Sequence, residues 1–339
     1  MSSPQAAPAR TRLGDRIFRI ASSSSAVTMT VMIAAIGLFL VWQAVPALNR
    51  NTEGYLGFLT YGQDWNTSDP QEMTFGIASI LGSTVLISAL ALLIAMPIAL
   101  GIAIYLTSYA PARLIKPLGS LVDMLAAIPS IVYGLWGWQV LGPKLSAFYE
   151  WLHGWAGGFF LFSVYPNSPS FATGRNIFTG AIVLAIMILP IIAATTREIF
   201  HQTPAGQIEA ALALGATRWE VVRMTVLPFG FSGYISGSML GLGRALGETM
   251  ALYMIVSPLT EFRFTLFDGG TTFATLIANA APEFSNPLRA GAYISAGLVL
   301  FLLTFVVNAA ARSLVVKNSG QKAPKSKAAK AVATTKKDA

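Results

Sequence analysis

Three ionisable side chains stand inside otherwise apolar stretches of the chain. Arg244 and Glu248 lie in GLGRALGETMA (residues 241–251), and Asp123 lies in the stretch Pro117–Pro143. Arg244 and Glu248 are i and i+4, so on one continuous helix they share a face and can pair. Arg244 follows Pro228 by 16 residues, roughly 24 Å along a straight helix. An ionised side chain that deep in a bilayer costs at least ~2.5–3.5 kcal/mol, so it must face protein or a wet path. Its planar fork can hold two oxygens of a tetrahedral oxyanion. Two readings stand side by side: an internal ion pair that fixes helix packing, or a gate or anion contact on a translocation path. A buried pair alone is weak evidence of stability, because apolar replacements are often as stable. Glycines 237, 241, 243 and 247 flank the pair and suit either close helix packing or backbone exposed along a path. Asp123 sits about one helical turn or two inward of Lys116. It reads as a helix-end carboxylate in water or as a member of the same path, at a different depth from Arg244.

Other chemistry is excluded by what the chain lacks. It has no cysteine and two histidines, His153 and His201, so thiolate, disulfide and histidine metal sites are not expected. No Gly-Lys dipeptide occurs, so a Walker A loop is missing and ATP hydrolysis by that route is ruled out. No G-x-S-x-G or H-E-x-x-H occurs either.

The elements that position these residues are set by composition. Hydrophobic residues make up 54% of the 339 and charged residues 11%, against about 25% charged in soluble domains. That excludes a soluble enzyme, a fibre and a disordered chain, and points to a polytopic, all-α membrane protein. Six spans are expected: 26–48, 76–108 (one long helix, bent at Pro97), 117–143, 176–196, 228–256 and 290–311. Trp151–Tyr165 is apolar but short of a span, and reads as interfacial or re-entrant. A bend at Pro129 and the aromatics Tyr133, Trp136 and Trp138 could line a path, though an ordinary kink with an outer aromatic belt is the favoured reading. Lys and Arg in alternate segments total 17 on one face and 5 on the other, which places both termini in the cytoplasm. The 1–25 segment is expected to be a cytoplasmic tail before an uncleaved anchor, since the first apolar stretch is too long for a signal peptide. The basic 316–339 segment is expected to be disordered beside membrane lipid. These two ends explain the +8 net charge without nucleic acid.

Residues 197–227 form a cytoplasmic segment that is unusually long for a loop. Thr203-Pro204 reads as a helix start. QIEAALAL (207–214) is strong helix former. Gly215 suits a left-handed terminator, and Thr217-Arg218-Trp219-Glu220 is a capping box that restarts a helix. The result is a short helix, a sharp turn and a second helix at the membrane surface. It could dock in a partner's groove or rest on lipid.

On Glu209-Ala210-Ala211, three residues, Gly215, eleven residues and then Leu227-Pro228, the segment resembles the EAA loop of bacterial ABC importer permeases; Thr225 stands where that motif usually has Ile. GLGRALGETMA (241–251) and AAIPSIVYGLWG (126–137) resemble the phosphate-specific branch of the family, the PstC permeases. The likeness covers about residues 75–315. It implies a type I ABC importer permease fold, with Glu209, Ala210, Ala211, Gly215, Leu227 and Pro228 coupling to an ATPase and Arg244, Glu248 and Asp123 on the path. It also implies a homologous PstA-like permease, two PstB-like ATPase subunits carrying ATP and Mg, and an external PstS-like phosphate-binding protein, with no cofactor in this chain. A permease for sulfate or molybdate, or an ATP-independent carrier or channel, is the alternative to be excluded.

Overall fold

The computed structural model describes residues 13–319 apart from 63–64, 71, 166–167, 260 and 262. In chain order the helices are α1 (Leu13–Leu48), α2 (Gly54–Thr60), α3 (Ala78–Ile104), α4 (Ala112–Ala127), α5 (Ser130–Trp136), α6 (Gly142–Ala156), α7 (Pro169–Thr173), α8 (Ile177–His201), α9 (Ala205–Ala213), α10 (Arg218–Val221), α11 (Leu227–Leu246), α12 (Met250–Ile255), α13 (Phe273–Asn279) and α14 (Pro287–Ser319). The fold is all-α; among the described residues there are two isolated β-bridges and no strand.

Four helical stretches are long and apolar enough to cross a membrane: Gly14–Leu48, Ala78–Tyr109, Ile177–His201 and Pro287–Ser313. The pair Ala112–Ala127 and Ser130–Ala156 passes the same test only when taken together and is bent by 87°, the shape of a broken span or a re-entrant loop. The remaining expected span contains α11. Its 20 residues carry five glycines, three serines and Arg244, which dilute its apolar character below that of the other spans. It nevertheless packs against α3, α8 and α14.

Helix α8 is the central post. Asn176 caps it by accepting the Thr179 N–H at 2.9 Å, and α3, α4 and α11 pack around it. Ile87 of α3 and Leu184, Ile188 and Ile192 of α8 are fully or almost fully buried there. A second cluster ties α1 to α14 and to the segment around Met73 and Phe75.

Four boundaries differ from the sequence expectation. Residues 13–25 are not a tail but the first part of α1. Their serines do not break the helix, because Ser24 and Ser25 Oγ donate back to the Ala21 carbonyl at 2.9 Å. Trp151–Ala156 close α6, and only Phe160–Phe162 form a separate 3₁₀ turn, so this stretch is no seventh span. Arg197–His201 belong to α8 rather than to the following segment. Residues 316–319 end α14, and the rest of the expected C-terminal tail lies outside the described residues.

Candidate translocation site

The site is built on two interrupted helices that face each other. The first interruption lies between α4 and α5. Pro129 has no N–H to give, so the carbonyl four residues earlier, on Leu125, loses its helical partner. The Tyr133 hydroxyl donates to that carbonyl at 2.9 Å, which satisfies the group the proline frees and holds the 87° bend. This is more than an ordinary kink.

The second interruption lies between α11 and α12. Helix α11 ends at Leu246, and Gly247-Glu248-Thr249 separate it from Met250. Glycine is a poor helix former, and the Glu248 side chain turns to accept the Ala251 N–H at 3.1 Å. Thr249, at the cap position of α12, makes no side-chain cap bond, so Glu248 supplies the acceptor instead. Only 8% of Glu248 is exposed.

The two interrupted helices touch through glycine. A Cβ on Gly134 would stand 3.0 Å from Ala251 Cα, and one on Gly137 would stand 2.8 Å from Ile255 Cδ1. Only glycine lets α5 and α12 approach so closely.

The glycines of α11 divide by face. Gly230, Gly233, Gly237 and Gly241 recur every three or four residues and lie against α8. Added Cβ atoms there would meet Phe200 at 2.2 Å, Ile199 at 2.5 Å, Thr195 at 3.0 Å and Ile192 at 2.9 Å. Gly243 has open space at its Cβ position. Close packing thus accounts for Gly237 and Gly241, and Gly243 stands on the other face beside Arg244.

The expected Arg244–Glu248 pair is not formed. The i,i+4 relation presumes an unbroken helix, and the break at Gly247 removes it. Ion pairs among the described residues include Arg197–Asp123, Arg263–Glu261 and Arg263–Asp268. Arg244 is exposed, on the last turn of α11. Asp123 is tied elsewhere. It pairs with Arg197 at 3.5 Å, where the two side chains are 54% and 19% exposed, near the cytoplasmic end of α8.

The cytoplasmic segment folds largely as its local code requires. Helix α9 buries none of its residues. It ends in a Schellman motif: the Ala216 N–H reaches the Ala211 carbonyl at 3.2 Å, the Gly215 N–H reaches the Leu212 carbonyl at 2.9 Å, and Gly215 has φ +83°. The Thr217–Glu220 capping box is complete, with Glu220 Oε2 accepting the Thr217 N–H at 2.7 Å. These bonds hold the exposed Glu220 carboxyl below the ordinary glutamate range, the Thr217 backbone N–H contributing most. Thr203 departs from expectation: Pro204 is the cap residue of α9, and the buried Thr203 hydroxyl bonds nothing. The restarted helix runs without a gap through the π-helical turn Val222–Val226 into α11. That turn precedes Pro228, whose ring removes an N–H from the ladder. Glu209, Ala210 and Gly215 are exposed and Ala211 is half-buried, whereas Leu227 packs inward with Phe200, Ala103 and Val226. Leu214, 90% exposed, and Trp219 stand out as bare apolar side chains beside α9.

With this geometry in view, residues 97–318 match the family "Binding-protein-dependent transport system inner membrane component". This chain belongs to that family. It is a permease subunit of the membrane, of the ABC importer class. It is 53% identical over 304 residues to a Mycobacterium tuberculosis protein named phosphate transport system permease protein PstC 2, covering 89% of this chain and 92% of the relative. It is 50% identical over 305 residues to the PstC of Mycobacterium leprae (90% and 94% covered), and 37% identical over 324 residues to the PstC of Mesorhizobium japonicum (93% and 94% covered). Its fold is similar to that of a bacterial ABC transporter involved in import of the acidic polysaccharide alginate, with TM-score 0.57, 17% identity, and 91% and 99% of the two chains covered. The MetNI methionine ABC transporter in an inward-facing form gives TM-score 0.50 at 16% identity, with 71% and 95% covered.

Sequence reasoning missed the reciprocal role of the two breaks. Pro129 and Gly247 were each visible, but nothing along the chain says that Gly134 brings them together. It also passed over Arg175, which counted only as an external base.

Proposed function

We propose that this chain is one permease half of an ATP-driven importer of inorganic phosphate. One observation carries the reading: Arg244 stands exposed and unpaired at the junction of two interrupted helices, in a chain whose relatives at 37–53% identity are named phosphate permeases. A guanidinium cannot face lipid cheaply. Its free face must therefore meet a wet path closed by another chain. Leu240 of α11, Met250 and Tyr253 of α12 and Val132 of α5, on the helices that flank the two breaks, are exposed as well, and such apolar surface suits a second, PstA-like permease. Phosphate brought by a PstS-like binding protein would meet Arg244, whose fork fits two of its oxygens.

The energy would come from two PstB-like subunits holding ATP and Mg. Helix α9, with Glu209, Ala210 and Ala211, would seat in a cleft of one of these ATPase subunits. The unbroken run from α10 into α11 offers a stiff lever from that cleft to Gly247 and Arg244. Glu248 would act as the cap that lets α12 move as a unit, and Asp123 as a tie to α8 at the inner end of the path. The test is radiolabelled phosphate uptake in cells that depend on this chain, with sulfate and molybdate as competitors. Arg244→Gln should abolish most uptake while the protein remains in the membrane, and the competitors should have little effect. Normal uptake by the variant, or full competition by sulfate, would contradict the assignment.

A further inference from the structure

The cavity at the outer end of the molecule has chemistry of its own. It measures about 310 Å³ and is lined by Trp138, Arg175, Tyr253, Thr271, Thr275 and Asn279, among others, within the ~300–1,000 Å³ range of small-molecule pockets. No Asp or Glu lines it. Arg175 immediately precedes α8, opposite the end that leads to α9, so the cavity opens on the non-cytoplasmic face.

Arg175 is held there in a specific way. Its carbonyl accepts the Ser257 N–H at 2.9 Å, which fixes the backbone. Its guanidinium carbon lies 5.7 Å from the centre of the Trp138 ring. An aromatic face under the guanidinium plane leaves the N–H edges free. Its Nε is buried without a hydrogen-bond partner, and Arg175 takes part in no ion pair among the described residues. A buried charged donor left unpaired is costly. The cost would be met if an acceptor enters the cavity. Helix α12 runs from the Glu248 cap to this cavity, since Leu252, Tyr253, Met254 and Val256 also line it. The cavity therefore lies one short helix outward of Arg244.

We infer that Arg175 forms an outer anion site, a first station where a tetrahedral oxyanion is held between its guanidinium edge and the polar wall before it reaches Arg244. That the anion is inorganic phosphate rests on the function proposed above; that the cavity takes an oxyanion rests on Arg175 alone. The Thr271 hydroxyl already donates to the Leu259 carbonyl at 3.0 Å, so it is an acceptor-side neighbour, and the donors on the lining residues include Arg175, the Asn279 amide and the Tyr253 hydroxyl.

The test is equilibrium binding of radiolabelled inorganic phosphate to the detergent-purified transporter complex freed of binding protein. The complex is compared as wild type, Arg175→Gln and Arg175→Lys, with co-purification of the other subunits as the folding control. Removing a charge-assisted pair of bonds should weaken binding about ten- to a hundred-fold, and the Lys variant should recover part of it. Equal binding by the Gln variant would overturn the site. Wild type that takes up phosphate while its Arg175→Gln form binds it unchanged would sink this inference only. Wild type that neither binds nor takes up phosphate would sink the proposed function as well. If wild type binds sulfate in place of phosphate and Arg175→Gln does not, the site stands and the phosphate assignment falls.

Discussion

Replacing Glu248 by Ala and by Gln, each with and without Arg244→Gln, separates a capping role from an ion pair. In the structure Glu248 is buried and its Oε1 accepts the Ala251 N–H at 3.1 Å. Alanine leaves that N–H unpaired inside protein, which costs about 1–3 kcal/mol. Glutamine keeps an oxygen in the same place, so its loss should stay within about 1 kcal/mol, roughly the dipole contribution of the charge. The Arg244 partner decides the rest. Two charges ~4 Å apart at an effective dielectric of ~20 couple by ~4 kcal/mol, whereas charges further apart with one in water couple by under ~1 kcal/mol. The Glu248→Gln, Arg244→Gln cycle, read from unfolding midpoints of the purified protein in detergent, should therefore give a coupling below about 1 kcal/mol. A coupling of about 2 kcal/mol or more would show that the side chains pair across Gly247, and the capping account would be wrong. Glu248→Gln and Glu248→Ala behaving alike in stability would refute it from the other side.

Further predictions follow from single contacts. Gly233→Ala should destabilise by about 1–3 kcal/mol through overpacking, because its Cβ would meet Ile199 at 2.5 Å. Gly243→Ala, with open space, should be neutral or stabilising by up to about 1 kcal/mol; thermal unfolding in detergent compares the two. Tyr133→Phe should cost about 1–3 kcal/mol by leaving the Leu125 carbonyl unpaired at the bend, with the loss read from the same unfolding curves. Gly215→Ala meets no neighbour but must adopt φ +83°, so about 1–2 kcal/mol of backbone strain should loosen the end of α9 and lower phosphate-coupled ATP hydrolysis. The Glu220 cap should be insensitive to pH near neutrality: its carboxyl is held below the ordinary glutamate range, so its contribution is complete above that range and is lost as pH falls through the lowered value. Hydrogen exchange of the Thr217 amide, which donates to Glu220 Oε2, should stay protected from pH 8 to 6 once corrected for intrinsic rate, and Glu220→Ala should abolish that protection.

What the sequence made legible was local. Gly215 and the Thr217–Glu220 box lie within one or two turns of the groups they satisfy, so residue type and spacing were enough to place them. The span of α8 was legible for the same reason, with Asn176 and an unbroken apolar run. What remained hidden was set by contacts between distant segments. The i,i+4 spacing of Arg244 and Glu248 carried an assumption of continuity that Gly247 breaks, and Glu248 found a better partner in the next helix. The Pro129 break acquired meaning only when Tyr133 closed it and Gly134 let α12 approach. Thr203 had the type of a capping residue, but Pro204 took the cap position and left its hydroxyl unused. Arg175 was unremarkable along the chain because its cavity is assembled from α12, α13 and the segment before α8.

The central claim is that this chain admits phosphate at the expense of ATP on a partner. The most direct measurement reconstitutes the complex that co-purifies with the tagged chain into liposomes, adds the phosphate-binding protein outside and ATP with Mg inside, and follows radiolabelled phosphate. Accumulation that requires ATP, persists without an ion gradient and falls sharply with Arg244→Gln is the predicted result. Accumulation driven by a proton or sodium gradient with no ATP, or a complex containing no ATPase, would contradict it.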